Sequence, residues 1–259
     1  MKKILASDID GTLIINNEIA QTTLDGIKTL KEKGHHFILS TGRDFANTKA
    51  VFEKYKLEID GLILCNGALV LDEKFQPYYE KNIDEAIVKE IYHMFTPLEG
   101  YYLGVGNGYE TYIDKWPEMI DQMNFIIHKI DAEEMKTKFK EIKLLSIIAT
   151  NKEAEEVEEI KNKLNKLYGE SIVAYRNQVF IDVVPVGCSK AAGIEKIMEK
   201  FKSQDDHVYV IGDSWNDLSM FERYKHSFTF NHAEEDLKHH TKHTIEHIDD
   251  CIKYIIEEK

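Results

Sequence analysis

The sequence predicts an α/β fold: a Rossmann-like parallel-sheet core domain with an inserted α+β domain. Three observations predict it. Short apolar runs of strand length alternate with helical patterns through the first 80 residues, which is the signature of right-handed βαβ units and a parallel sheet. From about Asn82 the texture changes to aromatic strands joined by tight turns, which imply antiparallel pairing. After Pro185 the strand–helix alternation resumes. The expected core is therefore 1–81 together with 184–259, and the expected insert is 82–183.

Taken in order, Ile4-Leu5-Ala6 reads as the first buried strand, and Gly11-Thr12 as the chain turning away from its end. Leu24, Ile27 and Leu30 recur at helical spacing between a cap near Thr22 and a stop at Gly34. Phe37-Ile38-Leu39 is the second strand and ends at Ser40-Thr41-Gly42-Arg43. A helix carrying Phe45, Phe52 and Tyr55 leads to the third strand, Leu62-Ile63-Leu64, which ends at Cys65-Asn66-Gly67. In the insert, Ile87, Ile91 and Phe95 mark a helix and Tyr101-Tyr102-Leu103 a strand. Gly106-Asn107-Gly108 turns that strand into a hairpin with 109–113. A strand at 144–149, a charged helix over 152–168 and a strand pair at 171–176 and 179–184 complete it. The core resumes with a helix from Ser189 and the strand Val208-Tyr209-Val210-Ile211, followed by Gly212-Asp213.

Composition narrows the function. A net charge of −13 disfavours a nucleic-acid backbone or an anionic membrane as partner. No apolar run approaches the roughly 18–20 residues that span a bilayer, and the N-terminus lacks a secretory signal pattern, so a cytoplasmic location is expected. Cys65, Cys188 and Cys251 lie far apart without a CxxC spacing and read as small apolar core residues.

The chemistry concentrates at strand ends. Asp8 and Asp10 follow the first strand at a spacing that points both the same way, and two like charges so close repel unless a cation sits between them. Thr41-Gly42-Arg43 follows the second strand, Lys190 opens a helix, and Gly212-Asp213-Ser214-Trp215-Asn216-Asp217 follows the last strand named. Singly, each has an ordinary explanation as a turn, a solvated lysine or a helix cap. Together, on one side of one parallel sheet, they compose a site, because ligands of such sheets bind outside the carboxyl ends of the strands.

This inventory suits phosphoryl transfer, which depends on charge neutralisation and in-line positioning. One aspartate can attack phosphorus and form a phosphoenzyme, and a second can protonate the leaving oxygen and later deprotonate water. Asp8 and Asp213 suit Mg²⁺, which takes a few carboxylates with waters and substrate oxygens. Lys190 and the Thr41 hydroxyl suit phosphate oxygens.

The motifs resemble the haloacid dehalogenase-like superfamily, in its Cof-type phosphatase branch with an α/β (C2-type) cap. Asp8-Ile9-Asp10-Gly11-Thr12-Leu13 resembles its DxDGTL, Thr41-Gly42-Arg43 its second motif, Lys190 after Val184-Pro185 its third, and 212–217 its GDxxND. Asn66-Gly67-Ala68 resembles the NGA of this branch. The resemblance implies Asp8 as nucleophile and Asp10 as acid/base. It implies Mg²⁺ held by the Asp8 carboxylate, the Asp10 backbone carbonyl and Asp213, with Asp217 just behind. It places Ile9, Thr41, Gly42, Arg43, Asn66, Lys190 and Asn216 around substrate and phosphate, and makes the insert a substrate-reading cap. Ser214 stands where the branch has glycine, Phe228–His232 replaces its small-residue strand, and the C-terminal stretch lacks its Asp/Asn-Gly-Val. None of these touches an expected acid or metal ligand.

The expected partner is a small phosphorylated metabolite, a sugar phosphate or a phosphorylated cofactor, and the chain is expected as a monomer or weak homodimer. The alternatives are a dedicated sugar-phosphate phosphatase or a phosphomutase, and a non-catalytic phosphometabolite-binding regulator. Two further signals carry nothing: Gly104-Val105-Gly106-Asn107-Gly108 is flanked by aromatic strands with no helix after it, and Thr241 and Thr244 interrupt the face that His239, His243 and His247 would share.

Overall fold

The computed structural model describes residues 2–122, 125–177 and 179–258. The chain opens with β1 (Ile4–Ser7), α1 (Gln21–Glu32), β2 (His36–Ser40), α2 (Phe45–Tyr55), β3 (Gly61–Leu64), β4 (Leu69–Asp72) and β5 (Pro77–Glu80). Next come α3 (Glu85–Phe95), β6 (Tyr101–Gly106), β7 (Thr111–Ile113), β8 (His128–Lys129), α4 (Ala132–Thr137), β9 (Leu144–Ala149), α5 (Ala154–Tyr168), β10 (Ile172–Asn177) and β11 (Phe180–Pro185). The last stretch holds α6 (Lys190–Phe201), β12 (Val208–Ile211), α7 (Leu218–Arg223), β13 (His226–Phe230), α8 (Glu235–Lys238), β14 (His243–Ile245) and α9 (Ile248–Glu257).

Two sheets result. The first has eight strands in the order β14-β13-β12-β1-β2-β3-β4-β5, parallel from β14 to β3. Ile4 pairs with both His36 and Val208, so β1 is central, and its four residues are buried. The period of two explains why these strands read as unbroken apolar runs. Leu5, Phe37, Leu39, Leu62 and Tyr209 join a core on one face, while Ile4, Ala6, Ile38, Ile63 and Val208 join a core on the other.

The second sheet, β10-β11-β9-β6-β7-β8, is built within residues 101–185. Leu103, Val105, Leu145, Ile147, Ile181 and Val183 turn one face onto Val88, Ile91 and Phe95 of α3 and Val157 and Leu164 of α5. Gly104, Gly106, Leu144, Ser146, Ile148 and Asp182 alternate onto the opposite face, which roofs the carboxyl ends of the first sheet.

Several elements differ from the sequence reading. β4 and β5 extend the first sheet antiparallel beyond β3 instead of continuing the strand–helix alternation, because Asn66 and Gly67 take positive φ of 48° and 92° and fold the chain back. Helix α1 begins after Ala20 without a side-chain cap, since the nearby Thr23 hydroxyl is buried and donates to Asp249 instead. β8 pairs parallel to β7, an exception to the antiparallel insert. The hairpin at 106–108 forms, with the Asn107 side-chain oxygen accepting the Tyr109 and Glu110 N–H groups. The three spaced histidines share no helix: α8 ends at Lys238, His243 opens β14 and His247 precedes α9. No helix among the described residues is long and apolar enough to cross a membrane.

Candidate active site

The site is assembled from the carboxyl ends of β1, β2, β3 and β12. The Asp8 N–H donates to the Ile211 carbonyl at 3.0 Å, so the chain holds its sheet register one residue past β1. Gly11 has φ +77°, and a Cβ there would lie 2.4 Å from an Asp213 oxygen, so this turn admits only glycine. The Thr12 hydroxyl donates to the other Asp213 oxygen at 2.8 Å. The turn after β1 therefore fixes the carboxylate that β12 delivers.

Lys190, first residue of α6, is fully buried, and the Ser189 hydroxyl caps that helix by accepting the Ala192 N–H. Its Nζ lies 2.6 Å from Asp8 Oδ1 and 2.6 Å from Asp217 Oδ1. Asp217 is spoken for at both oxygens, since Oδ2 accepts the Asp213 and Ser214 N–H groups at 3.0 Å each.

Oxygens of Asp8, Asp213 and Asp217 lie within 4.8 Å of one another. Burial pushes the Asp8 carboxyl well above its ordinary range against the pull of Lys190, and burial with the Asp217 charge pushes Asp213 up to about 7. Burial alone would discharge Lys190, but Asp217 and Asp8 hold its ammonium above the ordinary value. Three carboxylates thus face one ammonium, and the donors are all hard oxygens, a set that fits a divalent ion such as Mg²⁺. Asp217 has no free oxygen to offer, which leaves Asp8 and Asp213 as the open carboxylates.

A cleft of about 400 Å³ lies between the two sheets, and Asp8, Asp10, Thr41, Gly42, Arg43 and Asn216 line its lower end. Asp10 points away from the carboxylate cluster: Arg43 holds it with Nε at 2.7 Å and Nη2 at 2.5 Å. The Thr41 hydroxyl accepts the Arg43 N–H at 3.1 Å. The Ile9 side chain is buried in the core, so only its backbone could meet a ligand. Asn66 sits fully buried behind the cleft, accepting from Asn216 at 3.3 Å.

The family model for haloacid dehalogenase-like hydrolases matches residues 5–255. The chain belongs to that family. It is 25% identical over 232 residues to the 5-amino-6-(5-phospho-D-ribitylamino)uracil phosphatase YitU of Bacillus subtilis, covering 85% of this chain and 83% of that one. YcsE of the same organism, named for the same activity, is 23% identical over 91% of this chain and 86% of its own. Among solved structures, the subclass IIB sugar phosphatase BT4131 superposes with a TM-score of 0.82 over 98% of both chains at 23% identity. With these relatives, membership makes the enzyme a Cof-type phosphatase, as its motifs suggested.

Within that family assignment, the structure adds residues that the motifs do not contain. Asp182 of β11 is buried beside Gly42; its two oxygens accept from Asn66 at 3.0 Å and Ser146 at 3.1 Å, and burial pushes it up to about 6. Asp44 caps α2 and accepts from Thr111 of β7 at 2.7 Å. Phe125 lies under the Arg43 guanidinium, 4.8 Å from ring centre to Cζ. Ser214 donates to Asn177 of β10 at 3.1 Å, whereas Trp215 is turned to Glu234 outside the cleft. A carboxylate alternating with Ile181 and Val183 in a strand was the one available signal for Asp182.

Proposed function

We propose that this phosphatase hydrolyses phosphate monoesters of small metabolites through an aspartyl-phosphate on Asp8. The observation that carries the reading is Asp8 at the cleft wall, one oxygen pinned by Lys190 and the Asp213 carboxylate beside it. Lys190 leaves the second Asp8 oxygen for attack. It bonds to phosphorus as the bond to the ester oxygen breaks, and the leaving oxygen takes its proton from Asp10. Water then attacks the phosphoryl group, Asp10 accepts its proton, and the Asp8 carboxylate is restored. Arg43 and the Asn216 amide orient phosphate oxygens. An arriving dianion competes with Asp10 for Arg43, so binding frees the Asp10 carboxylate to take up a proton from solvent and then give it to the leaving oxygen. Asp8 and Asp213 would hold Mg²⁺ with the Asp10 carbonyl, and the ion would neutralise charge on the transferring group. YitU, YcsE and BT4131 are named for ribitylaminouracil and sugar phosphates, which supports small phosphorylated metabolites as the substrate class.

The insert, 82–183, acts as a cap. The chain passes between core and cap at 81–84 and 183–187, and these two segments serve as hinges. Cap and core meet here through Gly108 and Tyr109 carbonyls accepting the Phe45 and Ala46 N–H groups, and through Asp182 on Asn66.

Metal dependence, and then the kinetics of an Asp10 variant, test this reading. Hydrolysis of an aryl phosphate is expected to vanish in chelator and return with Mg²⁺; full activity in chelator contradicts it. Because the folded Asp213 pKa is raised, its contribution to stability is present below about pH 4 and lost as pH climbs through about 7. Added Mg²⁺ should therefore raise the melting temperature more at pH 8 than at pH 5. Asp10→Asn should impair alkyl phosphates more than activated aryl phosphates, by a gap of about 10²–10⁴-fold. Equal losses on both ester types would remove Asp10 as the acid.

A further inference from the structure

The cleft is two-ended. Below lie Asp8, Asp10 and Arg43; above, under the cap sheet, the wall is Ile113, Ile120, Phe125, Ile127, Ile148 and Phe180. Among the described residues of that cap face, Thr111, Ser146 and Asp182 have protein partners, while Gln122 lines the rim. The Thr111 hydroxyl donates to Asp44 at 2.7 Å, Ser146 donates to Asp182 at 3.1 Å, and the Asn177 carbonyl oxygen accepts from Ser214 at 3.1 Å. Asp182 spends its other oxygen on Asn66. A polyol carried into this end would meet few side chains there to replace its hydrogen bonds to water, which is penalised in a desolvated site.

The same face is flat at its centre. Gly104 and Gly106 of β6 line the cleft with bare backbone, and a Cβ on either would stand 3.2 Å from the Thr111 side chain. The space they leave is bounded by branched and aromatic apolar groups, which suit the faces and edges of a ring.

We propose that the preferred leaving group is an alcohol carrying a flat, largely apolar ring, aromatic or heteroaromatic, which lies across Gly104 and Gly106 against Ile113, Ile148 and Phe180. This rests on the phosphatase reading above and narrows its substrate class. The phosphate occupies the Asp8 end and the ring the cap end, so the cap selects by shape and dryness instead of by hydroxyl counting.

The test compares benzyl phosphate with glucose 6-phosphate on the same enzyme with Mg²⁺; both are esters of primary alcohols. The kcat/KM ratio is expected to favour the benzyl ester by about 10–100-fold. Gly104→Val, which fills the floor, should lower that ratio by about tenfold. The ratio is independent of how much of the variant folds, because both esters meet the same sample. Turnover with the hexose ester equal or preferred, or a ratio unmoved by Gly104→Val, overturns the ring assignment and leaves the phosphatase reading standing. No turnover of either ester overturns both.

Discussion

Asp8→Asn is expected to abolish turnover, by about 10⁴-fold or more, while the protein stays folded. The amide lacks the attacking oxygen's charge, and no neighbouring carboxylate can replace it. Asp217 is fixed by Lys190 and two backbone N–H groups, Asp213 is held by the Thr12 hydroxyl against Gly11, and Asp10 is drawn toward Arg43. Folding should survive because burial, reinforced by the neighbouring aspartates, pushes the wild-type carboxyl toward its neutral form against the pull of Lys190. Steady-state kinetics with a melting curve checks both halves. Retained turnover contradicts the role, and a collapsed melting temperature contradicts the account of the charge cluster.

Lys190→Met has the largest expected effect on stability. The substitution leaves Asp8 and Asp217 buried and facing each other with no counter-charge. Breaking a buried pair in this way costs about 3–5 kcal/mol. Urea denaturation should show the midpoint falling sharply, and turnover should fall with it. The added double variant Lys190→Met with Asp217→Asn should recover part of the stability, since it removes one orphaned charge. A single variant as stable as wild type would show that Lys190 is not the counter-ion described here.

Some of this site was legible in the sequence and some was not, for physical reasons. Asp8, Lys190 and Asp213 stand out because each follows or precedes a short apolar strand or a helix start, and local pattern suffices to place them at one end of a sheet. Gly11 and Thr12 read correctly as a turn, but their second task, holding Asp213 across 201 residues, leaves no local mark. Asn66 and Asp182 are 116 positions apart, and Asn66 and Asn216 are 150 apart. Such pairs depend on how the second sheet settles on the first, which the strand pattern does not encode. Nor does composition announce that Asp10 will choose Arg43 over the carboxylate cluster. β4 and β5 were missed because Leu69-Val70-Leu71 is as apolar as a parallel strand, and only the left-handed turn at Asn66-Gly67 reverses it.

The central claim is covalent: phosphorus passes through Asp8. Enzyme mixed with a phosphate ester, quenched in acid within its first turnovers and digested should carry an added phosphoryl group on the peptide that contains Asp8. Fragmentation should place the group on Asp8 and not on Asp10, and Asp8→Asn treated identically should carry none. A phosphoryl group on any other peptide, or an unlabelled wild-type peptide under conditions where Asp10→Asn also accumulates nothing, would contradict it.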